Sequence, residues 1–346
     1  MKYVPIILTM GDPAGVGPEI ILKSYCNSTI SQMPIVVFGD YKILSLFKDK
    51  LKIKEYELCS LKSMDDISFS ADILYVWDFD NVDLNDYEIG KMSSMCGDAA
   101  YAYIKSAIKH VKDEKACAVT TAPINKEALH KAGHKYPGHT EIFAEECGTQ
   151  DYAMHLYDEK LSIIHVSTHI SLQDSISTLN KDRIKKVIGL ANENMKKILG
   201  NEPRIAVAGI NPHSSENGLF GKQEAEIIIP AINEMKDMNV VGPIPPDTIF
   251  YRGLKGEFDI VVAMYHDQGH IPFKMYAFDT GVNISAGLSV LRTSVDHGTA
   301  FDIAGKGIAS DKSMVNAIIL ANRLTKQSKK VNWENSGNVS FENQHR

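Results

Sequence analysis

Along this chain, short uninterrupted apolar runs alternate with longer stretches of helical periodicity. Val4–Met10, Ile35–Phe38, Ile73–Trp77, Ala118–Thr121, Leu161–Val166, Ile205–Ile210 and Ile260–Met264 are each bounded by Gly, Pro, Asp or Asn. Continuous rather than alternating apolarity means that both faces of a strand are covered, as in a parallel sheet. Between the runs lie amphipathic stretches. Ile184, Val187, Ile188, Ala191, Met195, Ile198 and Leu199 recur at helical spacing before a stop at Gly200. Near the end, Ser310 is placed to cap a helix presenting Met314, Val315, Ile318, Ile319 and Leu324. Strand–helix alternation on this scale predicts an α/β fold with a largely parallel sheet. From Thr325 onward apolar residues become sparse, which predicts a frayed tail. No internal repeat is present.

Composition narrows this further. The 346 residues are 44% apolar, enough for one large or two medium cores. A net charge of −6 argues against a nucleic-acid partner, which calls for a basic stripe, yet leaves room for a local cationic pocket. Cys26, Cys59, Cys96, Cys117 and Cys147 form neither a CxxC pair nor a disulfide ladder, so a reducing cytoplasmic compartment is expected. Val4–Met10 is too short for a signal core or a membrane span. The unusual feature is histidine: ten of the twelve lie between His130 and His297.

Three of these histidines occupy matching places. His169, His213 and His266 each fall just beyond the carboxyl end of a predicted strand, the edge where open parallel sheets bind ligands. Three imidazoles would leave open positions on a divalent ion for substrate oxygens. Read singly, each is equally a polar loop residue. Nearby, Pro137–Glu141 opens a helix with Thr140 in position to cap it and to contact an anion. Lys274 follows His266 by eight residues, and Asn283 and Arg292 sit in two short extended segments. Lys supplies a point charge and Arg a rigid fork for phosphate or carboxylate. The segment Ser294–Gly307 is a polar, glycine-punctuated loop leading into a short helix, suited to wrapping an adenine nucleotide without a Rossmann turn. An earlier glycine turn, Gly11–Gly17, imitates a dinucleotide-binding turn, and Tyr101 with Lys105 supplies a Y-x-x-x-K pair. That combination leaves a short-chain-type reductase, needing no metal, as a distant alternative. A non-catalytic phosphate-metabolite binder is a second.

The blocks TMGDPAGVGPE, TTAPINKEAL, PGHTE, GINPHSSENGLFG, PPDTIF, YHDQGHIPFK and GVNISAGLSVLRTSVDHGTAFDIAGKG, in this order from residue 9 to about 307, resemble the 4-hydroxythreonine-4-phosphate dehydrogenase family. The last block is also similar to a segment of isopropylmalate dehydrogenases. The resemblance implies a two-lobed α/β/α fold of the isocitrate/isopropylmalate dehydrogenase kind, not a classical Rossmann fold, with the active site at a homodimer interface. Residues 1–135 and 265–325 would form the NAD-side lobe, 136–264 the metal and dimer-side lobe, and 326–346 a tail. It further implies His169, His213 and His266 as ligands of a divalent ion (zinc, cobalt or magnesium) shared between subunits. His139, Thr140, Lys274, Asn283 and Arg292 would be substrate contacts, and His297, Gly298, Thr299, Ala300, Asp302 and Ile303 would touch NAD.

The reaction implied is NAD- and metal-dependent oxidation at C3 of a four-carbon 4-phosphorylated hydroxy acid, then decarboxylation of the β-keto acid, with 4-hydroxythreonine 4-phosphate of pyridoxal phosphate biosynthesis as the first substrate reading. His270 and the triplet Phe301-Asp302-Ile303 differ from the biosynthetic vitamin B6 enzymes. They look like a sister group acting on D-threonate or D-erythronate 4-phosphate, which would give dihydroxyacetone phosphate. The proton acceptor is not identified; His270 is a candidate, with an ordinary surface histidine as the alternative.

Overall fold

The structure is a computed structural model that describes residues 4–328. Its frame is one sheet of twelve strands: β1 (Ile6–Thr9), β2 (Ile35–Gly39), β3 (Glu57–Leu61), β4 (Ile73–Asp78), β5 (Ala118–Thr121), β6 (Ala153–Tyr157), β7 (Ser162–His165), β8 (Ile205–Ala208), β9 (Val240–Ile244), β10 (Ile260–Ala263), β11 (Val282–Ala286) and β12 (Arg292–Val295). Their order is β3-β4-β2-β1-β5-β12-β11-β6-β7-β10-β8-β9. The first six are mutually parallel, as are the last four. In the middle, β11 and β6 run antiparallel to their neighbours and join the two parallel halves. The seven apolar runs all become strands. The weaker strands β3, β6 and β9 carry no continuous apolar run, because exposed or polar positions interrupt them.

Each parallel half is wrapped on both faces. In the second half, Ile164, Val207 and Val262 face a core that includes Ile184, Val187, Ile188 and Met195 of helix Lys181–Leu199. Alternate residues Ile163, Ala206 and Val261 face another, with Phe250 and Phe273. That period of two is why the runs had to be apolar throughout. A larger core unites β1, β2, β4 and β5 with helices Gly17–Tyr25, Tyr41–Leu51 and Ser94–Lys112. Val282 and Ile284 of β11 join the core of the second half, while Val290 and Val295 join the first. The last helix, Lys312–Ser328, begins two residues beyond Ser310 and runs straight from the loop after β12, with no separate short helix between. Of the expected tail, residues 329–346 lie outside the described residues. No helix among those described is long and apolar enough to cross a membrane.

Candidate active site

β7, β10 and β8 are adjacent and parallel, so the segments carrying His169, His266 (the first residue of helix His266–Ala277) and His213 leave the same sheet edge side by side. Gln268 ties two of these ends together: it accepts from Met264 N (2.6 Å) and donates to Gly209 O (2.7 Å). The His169 and His266 rings lie 5.9 Å apart, and His270 stacks on His266 at 3.6 Å and 9°. His270 is thus a half-buried member of the cluster rather than a surface group, and burial pushes its pKa down to about 4. Behind it, buried His165 lies 4.7 Å from the His270 ring. His213 is placed differently: its ring neighbour is Phe220 at 6.3 Å. Residues 213–217 all have positive φ, a strained run secured by buried Glu224, whose carboxylate accepts from Ile210 N, Asn211 N and Asn211 Nδ2. Among the described residues, no three His, Cys, Asp or Glu side chains of one chain stand close enough to hold a metal ion.

Beside the histidines opens a cavity of about 410 Å³, lined by Lys126, Pro137–Glu141, Met154, His169, Lys274, Asn283, Arg292 and Ser294–Gly298. It brings together His139, Thr140, His169, Lys274, Asn283, Arg292, His297 and Gly298 from five separate stretches of chain. At its centre Arg292 is buried, and its partners are neutral hydroxyls. Nη1 donates to Ser285 Oγ (2.7 Å) and Thr140 Oγ1 (3.4 Å), and Nη2 to Thr121 Oγ1 (3.1 Å). Burial lowers its pKa from the ordinary guanidinium range to about 9. His139 is held neutral by burial and by the nearby Arg292 charge. Lys274 pairs with Asp296 Oδ2 at 2.6 Å. Glu141 Oε1 stands 3.7 Å from His169 Nδ1.

Among the described residues, five buried polar atoms of this wall have no hydrogen-bond or ion-pair partner: Arg292 Nε, His139 Nε2, Asn283 Oδ1, His297 Nε2 and Glu141 Oε2. Buried polar atoms are ordinarily hydrogen-bonded, so their concentration around one cavity marks a ligand site. One expectation is corrected here. Gly138 precedes helix His139–Cys147, and Thr140 lies inside it, its hydroxyl turned to Ser285 and Arg292. Thr140 is therefore a wall residue, not a cap. Thr121, Ser285, Glu141, Lys126 and Asp296 were not singled out from the sequence. Thr121 does end a recognisable strand. Ser285 meets Arg292 only through the antiparallel register of β11 on β12.

The loop after β12 reaches the cavity through His297 and Gly298. Thr299 O accepts from Val16 N (2.9 Å), Ala300 has φ 40°, Ile303 N donates to Ala300 O, and Asp302 is exposed. The Gly11–Gly17 turn is no free anion cradle. Asp12 N donates to Pro123 O, Ala14 N to Asp12 Oδ1, Gly15 N to Asp12 O and Val16 N to Thr299 O. Tyr101 stacks on His134 at 3.8 Å, and Lys105, its Nζ 5.9 Å from the Tyr101 ring, pairs with Glu146.

An α/β fold with a cationic, ligand-hungry cavity beside a histidine cluster defines an enzyme of small anionic metabolites. More particularly, the chain belongs to the PdxA family: the model of pyridoxal phosphate biosynthetic protein PdxA matches residues 31–321. It is 47% identical over 326 residues to D-threonate 4-phosphate dehydrogenase of Salmonella typhimurium, covering 94% of this chain and 100% of that one. The corresponding enzyme of Pectobacterium atrosepticum is 46% identical over 321 residues (92% and 98%). A crystal structure of 4-hydroxythreonine-4-phosphate dehydrogenase from Klebsiella pneumoniae superposes with a TM-score of 0.84 at 47% identity, covering 93% of this chain and all of that one. The protein is a dehydrogenase of this family, with an α/β fold built on a large mixed sheet.

Proposed function

We propose that the protein oxidises D-threonate 4-phosphate at C3 in an NAD- and divalent-metal-dependent reaction and releases CO₂ from the resulting β-keto acid. The observation that carries this reading is the charge of the cavity. A buried guanidinium with an unpartnered Nε, flanked by Lys126 and Lys274, calls for a multiply charged anion. Arg292, Thr140 and Lys274 would hold the phosphate and carboxylate ends, and Asn283 and neutral His139 the hydroxyls between them. Such anchoring converts remote binding energy into orientation of C3. The choice of D-threonate follows the names of the curated relatives. Glu141, with a buried unpartnered oxygen, favours a second reading, 4-hydroxythreonine 4-phosphate, whose C2 ammonium it would pair.

The donor chemistry fits a borderline ion such as zinc or cobalt: His169 and His266 converge, and His213 leaves the neighbouring strand. Open space over Gly298, at the cavity rim, fits a cofactor ring approaching the backbone. His169, His213 and His266 would hold the ion, which would supply Lewis-acid polarisation of the C3 oxygen, and NAD would supply the hydride acceptor. The acceptor of the C3 hydroxyl proton would be a neutral imidazole of the cluster, with His270 the candidate. We assign the complete ligand set to a homodimer. Ile170, Leu172, Leu219, Phe220, Ile271 and Met275 are exposed around the three histidine loops, an apolar rim that a second copy would cover. The compartment in this reading is the cytoplasm, where thiols such as Cys26 and Cys59 stay reduced.

The test is NADH formation, followed by absorbance, with D-threonate, D-erythronate and 4-hydroxy-L-threonine 4-phosphates side by side. The expected order of kcat/KM places D-threonate 4-phosphate first. No turnover with any of the three, at saturating metal and NAD, refutes the substrate class.

A further inference from the structure

The glycine turn that imitates a phosphate cradle is spent on another part of the protein. Val16 N is bonded to Thr299 O, and a Cβ on Gly15 would stand 2.9 Å from the same oxygen, so backbone meets backbone there. Helix Gly17–Tyr25 then grips the far end of the same loop. Fully buried Glu19 accepts from Ala309 N at 2.9 Å. One turn on, Lys23 Nζ donates to Ala309 O and, at 3.4 Å, to Gly307 O. Glu19 and Lys23, at i and i+4 on one helix face, therefore hold the N–H and C=O of a single residue. Between these anchors the loop has no regular ladder and takes positive φ at Ala300, Gly305 and Gly307.

We infer that the Gly11–Lys23 unit is a buttress for the 297–309 loop, and that Glu19 and Lys23 are positioning residues for nicotinamide dinucleotide binding. The inference rests on the reading that this loop contacts NAD. A loop held from both ends is ordered before the cofactor arrives, so binding does not have to supply that ordering free energy. Releasing one anchor returns part of the ordering cost to the NAD-binding step and leaves the substrate cavity, formed mainly by other segments, as it was.

The experiment uses the full-length protein and NAD itself. Lys23→Met removes both donations from a half-buried side chain, and loss of a charge-assisted bond of this kind raises NAD Kd and KM by about tenfold. The substrate KM, and kcat at saturating NAD, stay within about twofold, since that binding step alone loses free energy. Lys23→Arg restores NAD affinity. Gly15→Ala, which pushes on Thr299, gives the same split by a different route. Asp302→Ala probes the cofactor reading directly. Weakened NAD binding in Asp302→Ala with unchanged binding in Lys23→Met overturns the buttress while leaving the loop's role intact. Unchanged NAD binding in both variants overturns the two together. Parallel losses of NAD binding, substrate binding and Tm in Lys23→Met also overturn it, because they mean a general structural role.

Discussion

Replacing Arg292 with methionine should separate stability from function in opposite directions. Arg292 is buried among neutral hydroxyls, and burial lowers its pKa from the ordinary guanidinium range to about 9. A shift of that size corresponds to about 5 kcal/mol of unfavourable free energy for the charged side chain in the empty protein. The sign follows from linkage: the folded pKa is depressed, so the cost is fully present below pH 9 and fades only as pH rises from there toward the ordinary guanidinium value. Methionine fills similar volume without charge. It gives up three hydrogen bonds to Ser285, Thr140 and Thr121, at about 1 kcal/mol each, and the abandoned hydroxyls of Thr140 and Ser285 already lie 3.4 Å apart. The net expectation is a ligand-free variant more stable by about 1–2 kcal/mol that has lost its anion site. Thermal or urea unfolding with and without inorganic phosphate reads both effects. Wild type should gain stability with phosphate and Arg292→Met should not, while kcat/KM falls by about a thousandfold or more with loss of a buried charged contact. A destabilised ligand-free variant that still responds to phosphate would refute the reasoning.

Three other outcomes are expected. His155, buried between Ser162 and Asn194 with its pKa lowered to about 3, binds a proton more readily unfolded than folded. Its contribution is intact above pH 6.5 and is lost as pH falls toward 3, by about 2 kcal/mol between pH 7 and pH 5; His155→Gln should flatten that part of the stability–pH curve. His213→Ala should cut divalent-metal binding severely while circular dichroism stays unchanged, and unaltered metal stoichiometry would remove His213 from the ligand set. Gly97→Ala should destabilise by about 2–4 kcal/mol, because its Cβ would stand 2.3 Å from the Ala128 backbone where two helices touch. An unchanged Tm would show that this helix contact yields easily.

Short continuous apolar runs bounded by Gly, Pro, Asp or Asn and alternating with helical stretches pointed to strands covered on both faces, so the α/β class was legible without coordinates, as was the placing of histidines at strand ends. Glycine spacing alone was misleading. The Gly11–Gly17 turn looks free in sequence, but its N–H groups are consumed by Pro123, Asp12 and Thr299. Likewise PGHTE reads as a cap at Thr140, whereas the chain caps at Gly138 and spends the Thr140 hydroxyl on Arg292.

What the amino-acid order determined by itself was local: which segments bury both faces, where each strand ends, and which cations and imidazoles follow those ends. What only the tertiary structure decided was adjacency. The order β7-β10-β8 sets three histidine loops side by side, and the reversal at β11 and β6 turns Ser285 onto Arg292. Strand order and register arise from long-range hydrogen bonds and from the shared covering of the sheet, and no spacing within one segment encodes them. For the same reason Arg292 became the centre of the site only when folding buried it away from any carboxylate to bond, leaving an incoming anion to complete its hydrogen bonds.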